Sequence, residues 1–167
     1  MTTIRRLGHD EGLALRALRL RSLADSPQAF GQTLDEATRR PLGEWHMEAR
    51  RSATGDAHAW FVARAGDTDI GTIQGRRRRP DTLLIFSMWV DPDQRGAGVG
   101  RHLVHAVEAW GADWGASSCL LWVYETNERA IRFYERIGFT IDRAGGDAEA
   151  GASYAALAMR RPIPFRG

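Results

Sequence analysis

The feature that most constrains this chain is a change of hydrophobic period in its middle. Residues 57–65, 69–77 and 82–90 are three runs of strand-forming spacing, separated by Gly66-Asp67 and by Arg79-Pro80-Asp81. Turn residues at those intervals predict strands joined as hairpins. From about 98 to 115 the period becomes helical, with Leu103, Val104, Val107, Trp110 and Trp114 on one stripe. Hairpins followed by an amphipathic helix cannot form an all-parallel sheet or a helical bundle. The flanking segments fit the same scheme. A strand is expected over 2–7, a helix over 10–23 with Asp10 as its N-cap, and a helix within 34–51 broken near Pro41. A strand over 118–124, a helix over 127–137 and a last strand over 154–159 complete the order β-α-α-β-β-β-α-β-α-β. That order predicts an α/β fold: a single mixed, mostly antiparallel sheet flanked by helices on both faces.

Composition sets the outer bounds. With 167 residues, of which 43% are apolar and 26% charged, residues 1–167 are expected to form one domain with a real core. The longest apolar runs, such as Leu83-Leu84-Ile85-Phe86, are too short to span a bilayer. The first residues lack the apolar stretch of a secretory signal, and the single Cys119 excludes an intrachain disulfide. The expected compartment is the cytoplasm. All 23 basic residues are arginines, so every base stays cationic and none can act as a neutral lysine. The net charge of only +2 gives no reason to expect nucleic acid. Arg76-Arg77-Arg78-Arg79 reads as a solvated turn, and His102 with His105 has no third ligand nearby, so no metal is expected.

The stretch Trp89-Val90-Asp91-Pro92-Asp93-Gln94-Arg95-Gly96-Ala97-Gly98-Val99-Gly100-Arg101 carries the first chemical signal. It joins a long apolar strand to the amphipathic helix. Glycines at alternate positions let the backbone approach a ligand, and free amides at a helix N-terminus attract anions. Two arginines bracket the loop, so it reads as a diphosphate cradle. It is not a P-loop, because Gly100 is followed by Arg101-His102, and it lacks the third glycine of a dinucleotide fingerprint. A tight turn that merely needs glycine is the plain alternative. The second signal is the helix after the next strand, where Asn127, Ala130 and Tyr134 share one face, Asn127 can cap the start and Gly138 the end.

Arg95-Gly96-Ala97-Gly98-Val99-Gly100 resembles the R/Q-x-x-G-x-G/A acyl-CoA loop of the GNAT superfamily of N-acyltransferases. Asn127-x-x-Ala130-x-x-Phe133-Tyr134-x-x-x-Gly138-Phe139 is similar to that family's second signature, and the two stand at its usual separation. The resemblance implies an N-acetyltransferase that moves an acetyl group from acetyl-CoA to a primary amine by direct attack in a ternary complex. It implies that the strand end at Met88, Trp89 and Val90 pairs with the pantetheine arm, and that Arg95 to Arg101 (Arg95, Gly96, Ala97, Gly98, Val99, Gly100 and Arg101) hold the pyrophosphate. By the same resemblance Asn127 hydrogen-bonds the cofactor, Tyr134 protonates the departing thiolate, and the strands ending at Val90 and Tyr124 splay to form the acyl slot. Relatives often carry a basic Glu on the fourth strand, but residues 83–90 hold no carboxylate, so Glu125 is the candidate base. Trp89 and Trp122 are candidate flanks of the slot. Residues 25–51 and 144–152 are candidate acceptor walls, with Phe30, Trp45, Glu36, Glu44 and Glu48 available to attract a cationic amine. A non-catalytic acyl-CoA sensor is the alternative, a dinucleotide oxidoreductase a remoter one. The acceptor amine is not legible, and a homodimer is left open.

Overall fold

In the computed structural model, which describes residues 1–143 and 155–164, β1 (Thr2–Arg6), β2 (His58–Ala65), β3 (Thr68–Arg79) and β4 (Thr82–Val90) form an antiparallel meander. Two-residue turns set its register: Gly66-Asp67 places Ala65 opposite Thr68, and Pro80-Asp81 places Arg79 opposite Thr82. β5 (Ser118–Tyr124) then runs parallel to β4, and β7 (Ala156–Pro162) and β6 (Thr140–Ile141) extend the far side. The seven strands lie in the order β1-β2-β3-β4-β5-β7-β6.

Helices α1 (Gly12–Asp25), α2 (Leu34–Arg39) and α3 (Leu42–Ala53) cover one face, while α4 (Val99–Asp113) and α5 (Glu128–Arg136) cover the other. Strand alternation sorts the core accordingly. Phe61, Ile73, Leu83 and Ile85 pack under α4 with Leu103, Val104 and Val107. Trp60, Val62 and Trp89 pack under α1 with Leu15, Leu18 and Trp45. Gly75 permits the close seat of α4, because a Cβ there would lie 2.4 Å from Val107 Cγ2.

The expected fold class is the observed one, with local differences. Asp10 does not cap α1; its carboxylate meets His9 at 2.9 Å, and the helix start is held by Glu11, which accepts from Arg5 and from the Gly8 amide. The expected helix within 34–51 is two helices, because Pro41 lacks the amide that would continue the first. β6 was not expected, being only two residues long, and β7 starts and ends later than 154–159. Residues 144–152, expected as an acceptor wall, lie outside the described residues apart from that expectation.

Candidate active site

β4 and β5 share only three paired positions, Thr82 with Ser118, Leu83 with Cys119 and Leu84 with Leu120, and then separate. Beyond the fork, the side of β4 that faces β5 has no strand partner among the described residues. The expected splay is therefore present.

A bulge shapes what lines it. Trp89 faces Thr72 while Phe86 faces Gln74, so β4 carries one more residue than β3 between those pairs. The extra residue is taken up around Ser87, which has φ +53, the single positive value among the described non-glycine residues. An uninterrupted strand would point Met88 the same way as Phe86. The bulge turns Met88 over to the α5 side, where the Tyr134 hydroxyl donates to its Sδ at 3.3 Å.

Tyr134 is held there from both ends of α5. Asn127 Oδ1 accepts from the Ala130 amide at 3.2 Å, so Asn127 is the expected N-cap, and its amide nitrogen remains as a donor. At the other end Gly138 has φ +96, Phe139 N–H donates to Tyr134 O and Gly138 N–H to Glu135 O, which together close the helix. The Tyr134 ring packs edge-on against Phe133 and Phe139, with centroids 5.1 and 5.5 Å away. Burial pushes its hydroxyl pKa up, with the neighbouring Cys119 adding to the rise, so it keeps its proton.

The glycine loop opens on the same end of the sheet. Gly96 and Gly98 have φ +86 and +84, and a Cβ on Gly96 would meet nothing within 4 Å. Gly98 occupies the N-cap of α4, which therefore has no side-chain cap, and no acid stands in its first turn. The contrast with α2 is clear: there Thr33 and Glu36 form a reciprocal capping box. Uncapped amides, an open glycine backbone and the exposed Arg101 in the first turn fit a diphosphate. Gly100 serves differently. It is buried, and a Cβ there would lie 2.8 Å from Met88 Cε and 3.1 Å from Phe133 Cζ, so its smallness lets α4 pack against the fork.

Three expectations need correction in detail. Arg95, expected beside the pyrophosphate, has its Nε donating to Val90 O at 3.0 Å and its Nη2 paired with Asp25. Trp89 does not flank the slot openly, being 5% exposed under α1 with its indole N–H donating to Asp25 Oδ2 at 3.0 Å. Burial alone would raise the Asp25 carboxyl, but Ser26, Trp89 and Arg95 hold it below the ordinary value. The acids of residues 25–51 named as a lure for an amine already have partners within the chain. Glu36 belongs to the α2 cap, Glu44 pairs with Arg40, and Glu48 accepts from His58, Trp60 and Gln74. Sequence reading had no signal for the Ser87 bulge or the Asp25 junction, since both arise from residues far apart in the chain.

Glu125 lies exposed just past β5, its backbone N–H bonded to Ala155 O at 3.0 Å. Trp122 is half-buried beyond the fork, with Arg78 over its ring at 5.3 Å. The arginine run does meet aromatic rings, Arg76 over Phe86 and Arg77 over Trp114, but each cation covers a ring face rather than leaving it for a base.

The comparisons with known proteins agree with this geometry. Residues 21–139 match the family model described as the acetyltransferase (GNAT) family. A peptidyl-lysine N-acetyltransferase, YjaB, of Escherichia coli is 32% identical over 93% of this chain and 93% of its own. A mycothiol acetyltransferase of Thermobispora bispora is 32% identical over 80% of this chain but 44% of its own length, so the chain spans less than half of that relative. Among solved structures, the PaiA N-acetyltransferase of Thermoplasma acidophilum in complex with coenzyme A superposes with a TM-score of 0.79 over 97% of this chain and 99% of that one, at 18% identity.

Proposed function

The chain belongs to the GNAT acetyltransferase family, and from that premise we propose that it transfers the acetyl group of acetyl-CoA to a primary amine. One observation carries the reading: a protonated, buried Tyr134 hydroxyl stands at the β4–β5 fork, beside Met88, in the same end of the sheet as the uncapped α4 N-terminus.

The residues divide the work as follows. The amides of Gly96, Ala97, Gly98 and Val99, with Arg101, hold the diphosphate. The backbone of Met88 and the Val90 N–H are offered to the pantetheine arm, the Val90 carbonyl being taken by Arg95, and the Asn127 amide nitrogen donates to it. Acetyl-CoA supplies the activated acyl group. The chain orients the thioester carbonyl in the fork so that the amine nitrogen attacks it; the C–N bond forms as the C–S bond breaks. Tyr134 Oη donates its hydrogen bond, and then its proton, to the sulfur as charge builds there. A thiol near 8.5 is the stronger acid, so this step is uphill, and it is completed when the phenolate takes up, through water, the proton that the amine releases. The amine's own proton leaves through water at the exposed end of β5, where Glu125 is the nearest carboxylate in sequence. Arg95 acts on the cofactor loop from beneath, through Asp25 and Val90, rather than on the phosphates. No helix among the described residues is long and apolar enough to cross a membrane.

Thiol release from acetyl-CoA over a panel of amines tests the reading. Acceleration by at least one amine is expected, and Tyr134→Phe should lower kcat by about 10² with little change in acetyl-CoA affinity. The loss should shrink at high pH, where the thiolate departs unaided. Tight binding of acetyl-CoA with no amine-dependent release would favour the sensor instead.

A further inference from the structure

Arg19 is the most buried arginine among the described residues, 7% exposed on the inner side of α1. Its Nε donates to the neutral Gln32 Oε1 at 3.0 Å, and its guanidinium stacks on Phe30 with Cζ 4.6 Å from the ring centroid. Nη1 is enclosed and has no acceptor, and among the described residues no carboxylate pairs with the group. Arg161 is matched by Glu108, Arg95 by Asp25 and Arg160 by Asp142; Arg16, which is less buried than Arg19, also has an enclosed Nε without an acceptor. A guanidinium does not escape burial by losing its proton at working pH; desolvation lowers this one only to about 10. An unpaired buried cation is costly, and folded proteins keep such a feature chiefly where a ligand completes it.

Its position indicates which ligand. Phe30 and Gln32, which cover it, belong to the loop between α1 and α2, and a Cβ on Gly31 of that loop would lie 3.7 Å from the Tyr124 hydroxyl, at the end of β5 beyond the fork. Six residues along α1, about 9 Å, lies Asp25, which is tied to Arg95 of the cofactor loop. The covered cation is thus within a small molecule's length of the fork, on the face opposite α4. Arg76 and Arg78 stand on the same face of the sheet, whereas the acids of α2 and α3 are engaged internally.

We propose that Arg19 anchors a carboxylate on the acceptor, so that the acceptor is an amino acid or another small molecule bearing an amine and a carboxylate together. The proposal rests on the acetyl-transfer reading and narrows its substrate class. The planar guanidinium fork receives a carboxylate through two parallel hydrogen bonds, and rotation of the Gln32 side chain opens the way.

The experiment uses the full chain and L-amino acids, each supplied as the free acid and as its carboxamide, with coenzyme A affinity measured separately. Free acids should be acetylated with kcat/KM about tenfold or more above their carboxamides, as loss of a charge-assisted pair implies. Arg19→Met should bring that ratio close to one while coenzyme A affinity stays the same. The ligand-free Tm of Arg19→Met should equal or exceed that of the wild type, and a free acid that raises the wild-type Tm should leave the variant's unmoved. If Arg19→Met fails to fold, Arg19→Lys keeps the charge without the fork and should still reduce the ratio several-fold. Acetylation with no preference for free acids, or a preference that survives either substitution, overturns the anchor and leaves acetyl transfer standing. Free acids that raise the wild-type Tm through Arg19 without ever being acetylated would uphold the anchor and overturn acetyl transfer instead.

Discussion

At the scale of single residues, the glycines of one loop do two different jobs. Gly98 supplies a left-handed backbone at the head of α4, while Gly100 supplies room for Met88 and Phe133. Substitutions there should separate accordingly. Acetyl-CoA at a hundredfold over Kd should stabilise the wild type by about 2.7 kcal/mol, which raises Tm by about 5–10 °C in a chain of this size. Gly98→Asp should abolish that rise, since it sets a carboxylate where the diphosphate sits. Gly98→Ala shares the backbone strain without the charge and should keep part of it. A full thermal shift in Gly98→Asp would remove the loop from cofactor binding. The alternating glycines were legible in the sequence as a freely turning loop ahead of a helix, as Gly96 and Gly98 with positive φ bear out; the division between Gly98 and Gly100 was not, because it depends on which way each Cα faces once α4 docks.

At the scale of elements, α1 is fastened to the end of β4 by two carboxylates, its own Asp25 and Asp91, which pairs with Arg21 at 2.5 Å. Asp25 accepts from Ser26, from the Trp89 indole and from Arg95, and Arg21 adds a contact over the Trp89 ring at 5.1 Å. Asp25→Asn keeps the shape but loses the charge that opposes Arg95. We expect destabilisation of about 1–2 kcal/mol, a fall of about 2–8 °C in Tm, together with weaker acetyl-CoA binding as the loop arginine is freed. Chemical denaturation and coenzyme A titration of the same variant check both parts. A stability loss with unchanged cofactor affinity would make the junction purely structural. The sequence pointed to Arg95 as a phosphate ligand because loop position and charge suggest it. The fold assigns the side chain elsewhere because α1, some seventy residues earlier, brings a carboxylate to it.

At the scale of the whole molecule, the α1–α3 face is organised around Glu48, and its titration should be visible in global stability. Hydrogen bonds from His58 and Trp60, and the charges of His58 and Arg40, outweigh burial and hold its carboxyl at about 2, against an ordinary 4.5. The folded state thus binds the Glu48 proton more weakly than the unfolded state. The stabilisation from its ionised form is complete above about 4.5 and declines as pH falls toward 2. Glu48→Gln should lower stability by on the order of 2 kcal/mol near neutral pH and flatten the acid limb of the stability curve. Urea midpoints taken at about pH 6 and about pH 3 check this; an equally steep acid limb in the variant would show that other carboxylates dominate.

The order of elements, the mixed sheet, the two hairpin turns, the cap at Asn127 and the stop at Gly138 were determined by the sequence, because each rests on local period or on one residue's backbone preference. The place of Tyr134 was legible only as a helix face. Only the tertiary structure decided that Met88 meets it, through the Ser87 bulge, that Arg95 turns back to Asp25, and that Arg19 is enclosed with its Nη1 lacking an acceptor. The physical reason is common to all three. Side-chain direction in a bulged strand and the pairing of buried charges depend on which distant elements pack together, and hydrophobic period carries the fact of packing without the identity of the neighbour.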